Sequence, residues 1–147
     1  MIVLMCMLLF VGTVFTTGPL RNREIERDEA LAVAGTFERV DPAYNKGNLK
    51  YIDLVFSDGE EQTIDGCCVR QGLEERLEQI PAGTQMRLLV HPKSNCVLQL
   101  EVNGQILLDF DNAQEYLWQE AMAFMWLGAF MYAVTVYFIV RMVRKKL

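Results

Sequence analysis

One histidine and four prolines occur in 147 residues, and two stretches carry no charged residue at all. Each scarcity excludes something. A lone histidine cannot build a centre that needs two imidazoles. No C-x2-C pair, EF-hand loop, phosphate-binding glycine motif, G-x-S-x-G or H-E-x-x-H is present. The chemistries that those spacings carry are therefore not written in the chain. Basic residues are few outside the extreme tail, and an acidic surface repels phosphate backbones, which excludes a nucleic-acid binder.

The charge-free stretches are Met1 to Leu20 and Ala121 to Val140. Between them lie 10 basic and 19 acidic residues, and the last seven residues carry four basic ones. The net charge of −5 is thus −9 in the middle and +4 at the tail. Membrane-like ends and an ordinary soluble-like middle average to a mean hydropathy of +0.14.

Twenty helical residues cover about 30 Å, the thickness of a bilayer core. The second stretch is the stronger span. Tyr116 and Trp118 stand where an aromatic belt would lie, and Arg141, Arg144, Lys145 and Lys146 follow as a cytoplasmic stop. The first stretch ends at Gly18-Pro19 and has no basic residue before it. Thr16 and Gly18 would suit cleavage after Gly18, but the missing basic region favours an uncleaved span. It also raises an upstream start, which intact mass of the native protein would test. The four tail cations outweigh Arg21, Arg23 and Arg27, so both termini are expected in the cytoplasm and the middle outside it. Neither run contains a charge, which argues against a proton or ion pathway. Gly12 with Thr16, and Ala129 with Ala133, are small-xxx-small pairs suited to close helix packing, within the chain or between two copies.

The chain is accordingly divided into a span at 1–20, a linker at 21–29, a β-rich domain at 30–110, and a stalk with the second span and basic tail at 111–147. The expected class is a membrane α + β protein. A small, mostly antiparallel, β-barrel-like domain of five or six strands and one short helix lies between two transmembrane helices. Strands are predicted at 30–40, 49–56, 61–64, 86–91, 96–102 and 105–110. A turn-rich loop is predicted at 41–48 and a helix at 72–80, where Leu73, Leu77 and Ile80 share a face. Asn103-Gly104 suggests a two-residue turn, but a bulged three-residue loop pairing Glu101 with Gln105 aligns Leu100 with Ile106 and Leu98 with Leu108. The hydrophobic pattern favours that second register. Asp111 or Asn112 could cap a final helix that runs unbroken into the membrane.

Cys67, Cys68, His91 and Cys96 are the candidates for a thiol, redox or zinc site in the middle domain, while Glu60-Glu61, Glu74-Glu75-Glu78 and Asp109-Asp111 read as solvated surface, with a weak calcium site as the alternative. Adjacent cysteines chelate one ion poorly, so free thiols without a role are the simpler reading, and no cofactor is expected. Seven of the eight methionines lie in or beside the spans, where flexible apolar filling explains them better than copper(I) binding.

Gly35-Thr36-Phe37, Tyr51 to Gly59, Pro81-Ala82-Gly83-Thr84 and the Val97-to-Asp109 hairpin together carry a resemblance. The chain resembles uncharacterised small bacterial two-span membrane proteins with a β-rich domain between the spans. The resemblance implies the architecture and brings no catalytic residue. Its partners would be the bilayer and a protein of unspecified identity, and homo-oligomers fit the same plan. Function is read first as a non-enzymatic interaction module or membrane-complex subunit. The alternatives are an envelope thiol, redox or metal-dependent protein using the four residues above, and a transporter accessory subunit.

Overall fold

The structure, a computed structural model, describes residues 13, 24–70 and 72–146. The chain divides into two compact units, Glu24–Leu117 and a second made of Met1–Arg23 with Trp118–Leu147.

The first unit is an antiparallel sheet of six strands: β1 (Leu31–Asn45), β2 (Asn48–Phe56), β3 (Glu61–Asp65), β4 (Gln85–Val90), β5 (Val97–Val102) and β6 (Gln105–Leu108). Their spatial order is β3-β2-β1-β4-β5-β6. One short helix, α1 (Leu73–Glu78), joins β3 to β4 by way of a 3-10 turn at Gly66–Cys68. The sheet is open, which corrects the barrel-like expectation. β3 meets β5 only through a single parallel bridge, Thr63 to Cys96, and a single bridge does not close a ladder.

β1 organises the sheet. Leu31 to Thr36 pair with β4, and Phe37 to Asn45 pair with β2, with an irregularity between Phe37 and Arg39. One strand thereby serves both halves. Both halves bury their apolar residues in one cluster: Ile52, Leu54 and Ile64 from one, Met86, Leu88, Leu98 and Leu100 from the other. The Thr63–Cys96 bridge joins β3 to the start of β5 although three strands lie between them, so the sheet bends to bring its two halves together. Such buried apolar side chains are worth about 1.5–3 kcal/mol each when removed from water.

The predicted loop at 41–48 is strand instead, as far as Asn45. Asn45 faces Asn48 across a two-residue turn, Lys46-Gly47. Pro42 misled the sequence reading. A proline disrupts a central strand, but β4 no longer flanks β1 beyond Thr36, so Pro42 sits on an open edge.

The last hairpin is also corrected. Val102 pairs with Gln105 across Asn103-Gly104, whose φ values of 52° and 78° are those of a type I′ turn. Glu101 then pairs with Ile106, and Leu100 with Leu108. Leu107 is the extra residue. The bulge exists, but it sits one pair further into the hairpin than the turn. It restores Leu100 and Leu108 to a buried pairing and leaves Ile106 exposed.

Helix α2 runs unbroken over Phe110–Lys146. Asp109, one residue ahead of it, is the cap, rather than Asp111 or Asn112: its Oδ1 accepts from the amides of both, each at 3.2 Å. Phe110, Ala113 and Leu117 belong to the sheet unit's core. The side chain of Gln114 clasps Ile25, accepting from its amide at 2.8 Å and donating to its carbonyl at 3.0 Å.

The helix stretch Phe110–Met142 contains a window of mean hydropathy 1.9 that is only 11% buried, and it is long and apolar enough to cross a membrane. Trp126, Phe130, Val136 and Tyr137 are all exposed. Ala121, Gly128 and Thr135 recur every seventh residue and are buried. Thr135 returns its hydroxyl to the Met131 carbonyl at 2.8 Å. Among the described residues this is the one candidate span. The expected span at 1–20 lies outside the described residues except for Thr13, whose hydroxyl is 2.6 Å from that of Tyr132.

Candidate functional site

Three of the four residues singled out from sequence are brought together. Gly66–Cys68 forms a 3-10 turn seated on the backbone of β2. A β-carbon at Gly66 would meet the carbonyl oxygens of Leu49 and Lys50 at 2.7 Å, so only glycine permits that seat. Asp65 caps the turn, its Oδ1 accepting from the Cys67 amide at 3.1 Å. Neighbouring side chains on a strand would diverge, but on this turn the sulfurs of Cys67 and Cys68 lie 3.8 Å apart. The Cys68 thiol donates to the Ala113 carbonyl at 3.6 Å and is buried, while Cys67 is half-buried.

Cys96 approaches from the start of β5. Burial pushes its thiol up to about 12, the neighbouring Cys68 pushes the same way, and a backbone hydrogen bond from Asp65 offsets part of this. A thiol so placed stays protonated and does not act as a nucleophile at neutral pH.

The imidazole of His91 has a different task. Its Nδ1 accepts from the amides of Lys93 and Ser94 at 3.1 and 3.2 Å, fixing the turn between β4 and β5. The His91 amide donates to the Cys96 carbonyl at 2.9 Å. The residue is 2% exposed. That nitrogen is consumed by the turn, so His91 contributes structure to the cluster and not a Nδ1 ligand.

The membrane-directed residues are divided. Gly12 and Thr16 lie outside the described residues. Ala129 and Ala133 are exposed, whereas Ala121, Gly128 and Thr135 are buried. Trp118, Arg141 and Arg144 are exposed; the side chains of Lys145 and Lys146 lie outside the described residues. Tyr116 is half-buried, with the guanidinium of Arg70 4.5 Å from its ring centroid.

That contact marks a feature the sequence reading missed. A groove of about 190 Å³ runs between α1 and the β6–α2 junction. Arg70, Arg76 and Asn112 supply its donors, and Leu73 and Leu107 part of its apolar lining. The available signal was modest: of the ten basic residues in an acidic middle, one precedes the short helix and one lies within it. Nothing in the spacing joins them to Asn112 and Tyr116, which arrive from α2.

Compared with protein families, curated proteins and solved structures, the chain matches none, so the site rests on its own geometry.

Proposed function

We propose that the chain is a membrane-anchored interaction module of the small bacterial two-span kind that it resembles. Its sheet unit would be held on the extracytoplasmic side and both termini in the cytoplasm. The observation that carries this reading is helix α2. Its first residues are locked in the sheet core, and the same helix continues as an apolar, largely exposed surface. Exposed aromatic residues of that number are costly in water and stable in lipid. The polar groups around the thiols serve the fold: Asp65 caps a turn, His91 fixes a turn and Asp109 caps a helix. Recognition of a partner, as a free module or as a complex subunit, suits such a domain better than bond-making chemistry.

Alkaline extraction of native membranes, followed by purification in mild detergent, tests the reading. The chain should resist extraction and bring a reproducible protein partner with it. A chain released by alkali would end the anchoring; a chain that purifies alone would end the interaction role.

A thiol-based activity is the second reading, favoured by the 3.8 Å approach of the Cys67 and Cys68 sulfurs. Alkylation kinetics of the native protein separate the two. One hyper-reactive thiolate supports chemistry, and three slow thiols support the module.

A further inference from the structure

The groove between α1 and the β6–α2 junction is an exception in the domain's charge. The middle of the chain is acidic by nine charges, and two of its other described arginines are engaged. Arg39 pairs with Asp41 and Glu38, and Arg27 donates to Gln99 at 2.6 Å. Arg70 and Arg76 both line the groove, and among the described residues neither has a carboxylate partner. Arg70 is held against Tyr116, which limits its rotamers and presents its donors in a fixed plane.

The rest of the lining narrows the ligand. Asn112 can donate an amide. Asp109 also lines the groove, and its Oδ1 is occupied by the first amides of α2. Its carboxylate would repel a bare anion beside it but would accept from a hydroxyl. Two guanidinium groups, an amide donor and one hydroxyl acceptor in about 190 Å³ describe a small ligand with both an anionic and a hydroxylic end.

We infer that this groove binds a phosphate ester carrying a free hydroxyl, with Arg70 and Arg76 on the phosphate and Asp109 on the hydroxyl. Paired guanidinium groups match the oxygens of a phosphate, each with two parallel donors. The same chemistry is offered by a glycerol-bearing phospholipid headgroup and by a soluble polyol phosphate. The lipid source rests on the membrane reading above; the soluble source does not. Neither needs a protein partner.

The test uses the full chain in mild detergent. Native mass spectrometry would measure retention of phosphatidylglycerol against phosphatidylcholine, and calorimetry would measure glycerol 3-phosphate against glycerate. Retention of phosphatidylglycerol supports the site and assigns it to lipid. Binding of glycerol 3-phosphate alone supports it with a soluble ligand. Arg76→Gln should weaken either by about tenfold, as loss of a charge-assisted hydrogen bond does. Arg70→Gln should do the same, and Arg87→Gln, outside the groove, should change nothing. Arg76 is exposed and makes no ring contact, so its variant keeps the test open if Arg70→Gln unfolds. The proposal is overturned if neither phosphate binds, if Arg76→Gln binds as tightly as the parent, or if phosphatidylcholine or glycerate binds equally well. Alkaline extraction, scored separately, distinguishes a failed groove from a failed anchor.

Discussion

Gly35 lies against the face of Phe56, so close that a β-carbon at position 35 would come within 2.5 Å of the ring's Cδ1. The contact lies where β1 passes from pairing with β4 to pairing with β2, and Phe56 is 2% exposed. The buried ring has little room to retreat. Gly35→Ala should therefore destabilise the sheet unit by about 1–3 kcal/mol, the usual cost of overpacking. Thermal unfolding followed by near-ultraviolet dichroism would check it. An unchanged melting temperature would show that the ring yields freely.

His91 should be replaceable only by a residue that copies its acceptor. His91→Ala leaves the Lys93 and Ser94 amides without their partner and should cost about 1–3 kcal/mol. His91→Asn places an amide oxygen close to where Nδ1 lies and should recover part of that loss. Hydrogen exchange at the two amides reads the effect directly: fast in the alanine variant, slower in the asparagine variant.

Cys96 gives the sheet unit a dependence on alkaline pH. Its folded thiol lies at about 12, above the ordinary value of 9.0, because of burial first and the neighbouring Cys68 second. The folded state thus holds a proton that the unfolded chain releases earlier. The contribution is fully present below pH 9 and is lost as pH rises towards 12. Cys96→Val should flatten the fall in stability over that window. The same burial predicts that Cys67 is alkylated well before Cys96 in the native protein.

Asp109 should govern the first turn of α2. Asp109→Ala removes the acceptor for two amides and should cost about 1 kcal/mol, whereas Asp109→Asn keeps a cap of similar quality. Exchange rates of the Asp111 and Asn112 amides would report the difference. Equal rates in all three proteins would assign the capping elsewhere.

Much of this was readable in the residues themselves. Leu49 to Phe56 and Met86 to Val90 are short, apolar-rich runs bounded by turn residues, a pattern that favours strands, and both are strands. The apolar, charge-free run after Glu120 was legible as a long helix because its length far exceeds that of a single strand. Other features depended on neighbours. Pro42 is tolerated because β4 ends short of it, which no local pattern reveals. The hairpin register was misread because the apolar alternation fixes which residues share a face, not where the extra residue is placed. The type I′ turn and a bulge at Leu107 satisfy that alternation together.

The sequence by itself determined the apolar helix, the strands and the thiols available, because periodicity and composition act over neighbouring residues. Only the tertiary structure decided that the sheet stays open, that Cys96 is held as a neutral thiol beside Cys68, and that His91 serves a turn. It also decided that Arg70 and Arg76 face one groove with Asn112 from α2. Those outcomes follow from burial and from contacts between residues far apart in the chain. Such contacts set the dielectric around a group and the partner it meets, and neither quantity is a property of a residue and its neighbours in sequence.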